Sequence, residues 1–293
     1  MKKINKILLT ALFISSAVII SPHKNIDAAS RITFVVVYPG SSSSINEGKR
    51  MIKSFVKTIA SMTGIPAYRL KGEFFNSQYK AEQYLRYNPN SFVMGSMGFY
   101  LKNKYRYKLQ PLSKVSMRGS TKEQYHVMVK KGTYSSLRSL QYKKIGGNIL
   151  KEHNRYITKV VFNNQAKAQN FKMNKRYSTL RAIKRVARGR FAGVVIDNIE
   201  YSMVKSSIRS GNSMARIFKK LKKVYSSPRY PALGFMMTNT YTTRSVKGKI
   251  VKTMSSLCSL PEGRGVCKNF GISGFVPVFS GEMNYVIKKY NAR

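Results

Sequence analysis

From Arg31 to Pro39 the chain reads RITFVVVYP, a continuous β-branched apolar run that predicts a buried strand. Pro39-Gly40 and four serines, Ser41 to Ser44, break it. The next stretch, Ile45–Met62, carries apolar residues at Met51, Ile52, Phe55, Val56, Ile59, Ala60 and Met62, which is helical spacing. Gly64 and Pro66 then stop it. The chain therefore opens as strand, Gly/Ser turn, helix.

The alternation continues. Gln78–Tyr87 reads as a helix and Ser91–Met94 as a short buried strand; Gly95-Ser96-Met97-Gly98 turns into an aromatic helix at Phe99–Tyr105. Leu109–Met117, Tyr125–Val129 and Lys144–Gly146 predict strands, with a helical turn at Ser135–Leu140 and mixed signals over Arg155–Phe162. Tyr177–Arg188 is amphipathic: Leu180, Ile183, Val186 and Ala187 lie on one face, and Arg181, Lys184, Arg185 and Arg188 opposite. Strands are expected at Phe191–Ile196, Lys219–Tyr225 and Ala232–Thr238, and helices at Lys247–Leu257 and Glu282–Tyr290. Strands alternating with helices over the whole length predict an α/β protein.

Residues 1–30 do not fit this scheme. Lys2, Lys3 and Lys6 precede a 14-residue apolar run, Ile7–Ile20, and Ala28, Ala29 and Ser30 offer a cleavage site. The run is short of the ~20 residues a membrane span needs, so it reads as a secretory signal peptide. The product is expected in the periplasm or outside the cell. In that oxidising setting Cys258 and Cys267, the only cysteines, predict one disulfide closing the loop Ser259–Val266.

Composition changes the picture in one respect. Fifty-four Lys+Arg against ten Asp+Glu give a formal +44, and loss of residues 1–30 leaves +41. Such an excess favours polyanions, envelope polymers or DNA, through attraction that weakens steeply with salt. Basic clusters occur at Lys102–Lys108, Lys172–Arg190 and Lys219–Lys223, without a nucleic-acid-binding motif. After residue 30 only His126, His153 and nine carboxylates remain, too few for an obvious metal site or catalytic triad. Asp197 and Glu200 are spaced for acid–base work, yet carboxylates opening a helix are the plainer reading. No enzymatic activity, metal or cofactor is expected.

The order of motifs adds a resemblance. YPGSSSS (38–44), SFVMGSMGFY (91–100), YHVMVKKGTYSSLRSLQYKKIGGN (125–148), TLRAIKRVARGRFAGVVIDNIEYSMVK (179–205), SSPRYPALGFMMT (226–238) and NFGISGFVPV (269–278) follow one another. This order resembles the phosphate/phosphite/phosphonate-type, PhnD-like solute-binding proteins of ABC transporters, with the type 2 periplasmic binding fold. The resemblance implies two α/β lobes joined by two crossovers, one from 31–122 plus 231–293 and the other from 123–230. A small anionic or polar solute would be clamped between them and passed, by a monomer, to a transporter permease. The implied contacts are Tyr38, Ser41, Ser42, Ser96 and Met97 from one lobe, and Tyr125, Asn148, His153 and Asp197 from the other. The family's Ser/Thr-rich turn corresponds here to Gly147–Asn154, which has no Ser-Thr run. The rival expectation is a cationic envelope- or nucleic-acid-binding protein on the same scaffold.

Overall fold

All six residues of strand β1 (Ile32–Val37) are buried, because both faces of the strand are covered. Ile32, Phe34 and Val36 enter one hydrophobic cluster, while Val35 and Val37 enter another. This two-sided burial is why the strand reads as a continuous apolar run. The computed structural model describes residues 31–39, 45–211, 214–238, 243–279 and 281–292. The proposed signal segment and Ser41–Ser44 lie outside the described residues.

The chain continues through α1 (Ile45–Thr63), β2 (Leu70–Phe75), α2 (Gln78–Tyr87), β3 (Ser91–Gly95), α3 (Met97–Asn103), β4 (Leu109–Ser116) and β5 (Lys122–Glu123). Then come β6 (Tyr125–Lys130), β7 (Lys144–Gly146), the single turn α4 (Asn154–Tyr156), β8 (Lys172–Asn174), α5 (Thr179–Ala187), β9 (Gly193–Asp197) and α6 (Asn198–Arg209). The last part comprises α7 (Ala215–Phe218), β10 (Leu221–Ser226), β11 (Tyr230–Pro231), β12 (Leu233–Thr238), α8 (Arg244–Ser256), α9 (Pro261–Phe270), β13 (Gly274–Pro277) and α10 (Asn284–Asn291).

These strands form two mixed sheets and a small bridge between them. The first sheet runs β13-β4-β12-β3-β1-β2 and the second β10-β6-β9-β7-β8. The chain leaves the first sheet after β4, returns after β10, and on both passages adds a strand to the antiparallel pair β5–β11. The result is the α/β class expected from the alternation, in the two-lobed form that the resemblance implies.

Packing follows the apolar periodicity. Ile52, Phe55, Val56 and Ile59 of α1 lie on the β1 face that carries Phe34, whose ring stacks on Phe92 at 5.3 Å; Phe92 in turn stacks on Phe235 at 5.5 Å. On the opposite face, β1 and α3 share a cluster with β6, Tyr156 and the π-helical turn Ile157–Val161, so one apolar core joins the two sheets. The outer face of the second sheet is covered by α5, α6 and α7 through Ile183, Val186, Val204 and Phe218.

Three differences from the sequence reading have local causes. The edge strands β2 and β8 escape apolar patterning because polar residues interrupt them, as in LKGEFF of β2, and β13 (GFVP) is a four-residue strand bounded by Gly and Pro. Leu180 is 48% exposed rather than on the core face, since the buried stripe of α5 is Thr179, Ala182, Ile183, Val186 and Ala187. The stretch between the cysteines is mostly the start of α9, with Pro261 in the first turn, where a missing N–H costs nothing. Gly263 belongs to that helix because any side chain there would strike the Leu257 carbonyl. Cys258 and Cys267 are bonded, tying the end of α8 to the second turn of α9.

Two outcomes follow from this geometry. Reduction of Cys258–Cys267 should lower stability in urea unfolding by about 2–3 kcal/mol, the chain-entropy value for so short a loop. Gly147 has φ 134° and its missing Cβ leaves room for the Val195 carbonyl. Gly147→Ala should therefore cost about 3 kcal/mol or prevent folding, and an unfolding curve matching the parent would contradict that account.

Candidate functional site between the two sheets

Strand ends bring the polar residues together. Tyr38 follows β1, Ser96 follows β3, Asn148 follows β7 and Asp197 ends β9, so all four sit at carboxyl ends of strands. Glu123 comes from the β5 crossover, and the register of β6 against β9 sets Tyr125 opposite Asp197. Open α/β sheets bind ligands at such ends because the loops there diverge and leave a crevice. A cavity of about 270 Å³ opens against Tyr38, Ser96 and Glu123, with Val37, Met94 and Phe270 among its apolar walls.

The electrostatics of this crevice oppose those of the whole protein. Four of the nine carboxylates after residue 30 gather here: Glu123, Glu152, Asp197 and Glu200. Burial pushes the Glu123 carboxyl up to about 7, with Asp197 and Glu152 adding to the rise and the Tyr125 hydroxyl opposing it. Burial also raises Asp197, and it raises Glu200, which Asp197 pushes further. Tyr38 is 58% exposed as a residue, yet its hydroxyl is pushed up to about 12 by desolvation and then by Asp197, Glu200 and Glu123. Among the described residues the ion pairs are Lys71–Glu73, Lys102–Glu82 and Lys114–Glu282, so no cation pairs with these four carboxylates.

Each carboxylate is held by neutral donors instead. Asp197 caps α6 by accepting from the Glu200 N–H at 2.7 Å, and Glu200 Oε2 accepts from the Asp197 N–H at 3.2 Å. This reciprocal capping box accounts for the three-residue spacing without acid–base chemistry. Asn148 Nδ2 stands 3.5 Å from Glu200 Oε1, while Asn148 Oδ1 is buried without a hydrogen-bond partner. Tyr125 donates to Glu123 at 2.5 Å, and its oxygen lies 2.8 Å from the Tyr156 hydroxyl.

Glu152 links the two sheets directly. It is 3% exposed and accepts from Ser96 Oγ at 2.6 Å and from Gln78 Nε2 at 2.5 Å. Gly98 is required beside it, because any side chain there would run into the carboxylate. Burial raises this carboxyl, whereas Ser96, Gln78 and the charges of Lys102 and Lys175 lower it.

The expected contact residues divide accordingly. Tyr38 and Ser96 line the cavity, Asp197 lies near enough to act on the Tyr38 hydroxyl, and Asn148 stands beside Glu200. Ser41 and Ser42 lie outside the described residues. Met97 is fully buried in the shared core, so its side chain is spent on packing. Tyr125 is 3% exposed and supports Glu123 rather than the open space. His153 is structural: Nδ1 accepts from the Tyr156 N–H at 3.3 Å, Nε2 donates to the Gly98 carbonyl at 3.2 Å, and burial lowers its pKa. An imidazole so engaged stays neutral and offers an anion no charge. Glu123, Glu152, Gln78 and Tyr156 belong to the site and were missed. Their one sequence signal is the scarcity of acids in so basic a chain.

The chain matches the family model for the phosphonate ABC transporter periplasmic substrate-binding protein over residues 40–282. None of the curated proteins matches it in sequence. Among solved structures, a Xanthomonas citri protein bound to chloride superposes with TM-score 0.69 at 13% identity, covering 88% of this chain and 95% of that one. A binding-protein component of an ABC phosphonate transporter from Pseudomonas aeruginosa gives TM-score 0.63 at 15% identity, with 88% and 84% covered. A Prochlorococcus marinus protein in complex with methylphosphonate gives 0.61 at 12%, with 89% and 97% covered. At such identities the likeness concerns the fold.

The raised Glu123 carboxyl makes stability pH-dependent. The folded state keeps this proton up to about pH 7, whereas the ordinary value is 4.5. Folded protein binds the extra proton between those values, so stability should fall as pH rises from 4.5 to 7, by about 3 kcal/mol. Glu123→Gln should flatten that part of the urea-unfolding profile and melt above the parent at pH 8. An unchanged profile would mean that Glu123 is ionised throughout.

Proposed function

Because the chain belongs to the periplasmic substrate-binding family of ABC phosphonate transporters, we propose that it captures a small polar solute carrying a positively charged pole and presents it to a membrane permease. One observation carries the ligand class: Glu123, Asp197 and Glu200 cluster near the Tyr38 hydroxyl at the cavity, and among the described residues no Lys or Arg pairs with them. Buried carboxylates held only by neutral donors attract a cation or an ammonium group strongly. An ammonium would meet three acceptor carboxylates there, while Ser96 and Asn148 remain for the polar remainder of the molecule. The absence of a Ser-Thr run at Gly147–Asn154 agrees with a ligand whose recognition does not centre on an oxyanion.

We assign one lobe to 31–122 plus 231–293 and the other to 123–230, with the β5–β11 pair as the hinge. The division follows sheet membership, and the pair is the one place where both crossovers run side by side. Hinge closure over a ligand is the motion this architecture permits. The lysine-led apolar run at residues 2–20 supports export, and the family works in the periplasm. The function proposed is capture and release, with no bond made or broken.

Calorimetry against primary amines, 2-aminoethylphosphonate, methylphosphonate and inorganic phosphate tests the reading. A ligand with a cationic pole needs ionised carboxylates, so it should release protons on binding and tighten as pH rises from 6 to 8, by up to about tenfold per unit for each proton released. Asp197→Asn, which keeps the helix cap, and Glu200→Gln should each weaken it by about tenfold or more. Tightening at acid pH with proton uptake, or preference for methylphosphonate over the amines, would refute the assignment.

A further inference from the structure

The remaining carboxylate-free feature of note lies along α5. At its first residue, Thr179 Oγ1 accepts the Asn148 N–H at 3.1 Å, which places that end beside the site. The nine residues of α5 rise about 13 Å. Along its solvent side, from Tyr177 just before the helix through Arg181, Lys184 and Arg185 to Arg188 and Arg190 just after it, side chains line a hollow of about 280 Å³. Five cations thus share one concavity, and none of its lining residues is acidic.

The hollow is built rather than merely solvated. The Arg185 guanidinium lies 4.1 Å from the Tyr177 ring centroid and 5.6 Å from that of Phe191, and its Nη2 donates to Tyr177 Oη at 2.9 Å. Lys144 Nζ stands 5.2 Å from the Phe191 ring centroid. Stacking and a hydrogen bond hold Arg185 in one orientation before any ligand arrives. Gly189, at φ 75°, turns the chain after the helix, and exposed Arg188 and Arg190 flank it. No carboxylate forms an ion pair with any of the five, as the described ion pairs all lie in the first sheet's elements and the C-terminal segment.

We propose that this hollow is a docking surface for the phosphate headgroups of an anionic phospholipid membrane. Charge complementarity carries the assignment: guanidinium forks match phosphate oxygens in geometry, and the hollow has room for a phosphate with its attached headgroup. The choice of a membrane over other polyanions rests on the reading above, in which the protein delivers its solute to a permease embedded in one.

The test compares two variants of the full chain that lose the same charge. Arg181→Gln/Arg188→Gln/Arg190→Gln removes exposed arginines from the hollow and spares the stacked Arg185. Lys49→Gln/Lys53→Gln/Lys57→Gln removes three exposed lysines from α1. Both are sedimented with vesicles of about one-third phosphatidylglycerol in phosphatidylcholine, and with phosphatidylcholine alone, in about 0.15 M salt. The arginine variant should lose about tenfold or more in binding to the anionic vesicles relative to the lysine variant, with neither difference on phosphatidylcholine. Equal losses would overturn the proposal, leaving total charge as the cause. Displacement of the parent by ~10 mM inorganic phosphate at fixed ionic strength, with no preference for anionic vesicles, would overturn the lipid source. Solute calorimetry on the arginine variant separates the two readings, because it reports on the crevice whether or not vesicles bind.

Discussion

A carboxylate taken out of water without a cation is costly, and this protein places four of its few carboxylates in that position where its two sheets meet. The arrangement holds only because neutral groups satisfy each one: a capping box for Asp197 and Glu200, Tyr125 for Glu123, and Ser96 with Gln78 for Glu152. Those donors come from α2, α3, β6 and the start of α6. The positions of the crossovers, the close approach at Gly98 and the register of β6 against β9 are therefore all constrained by one electrostatic problem.

The same constraint separates the protein's two charge regimes. Lysines and arginines cover the surface, with a hollow of them along α5, while the crevice is acidic and, among the described residues, unpaired with any cation. An even spread of basic residues suggests a general polyanion binder, and by itself it says nothing about the interior. The ligand meets the local field of the crevice, which burial strengthens and surface lysines, screened by salt, do little to cancel.

The core strands and long helices were legible because their burial is two-sided or follows a 3.6-residue stripe. Strand β1 and helix α1 show both patterns clearly. The edge strands β2, β8 and β13 were not: polar residues interrupt β2 and β8, Gly and Pro bound the short β13, and each is defined by its partner's hydrogen bonds. Pro261, Gly263 and Gly265 read as a loop because each residue type breaks helices on average. Here Pro261 occupies the first turn of α9, where its ring is tolerated, and Gly263 admits the Leu257 carbonyl. The places of Tyr38, Ser96, Asn148 and Asp197 at strand ends were legible from the strand pattern. Met97 and His153 stand in equivalent sequence positions, yet one packs into the core and the other caps α4.

By itself the sequence determined the α/β alternation, the α1 and α5 helices, the pairing of the two cysteines and the order of motifs that marks the family. These depend on local periodicity and on the chemistry of single residues. Only the tertiary structure decided that Glu123, Glu152, Asp197 and Glu200 would face one another, since they are up to 77 positions apart and meet through strand register and two crossovers. It also decided that the crevice of a +44 protein would be acidic. Net charge is a sum over the chain, whereas the field at a site depends on the distances and burial that folding imposes.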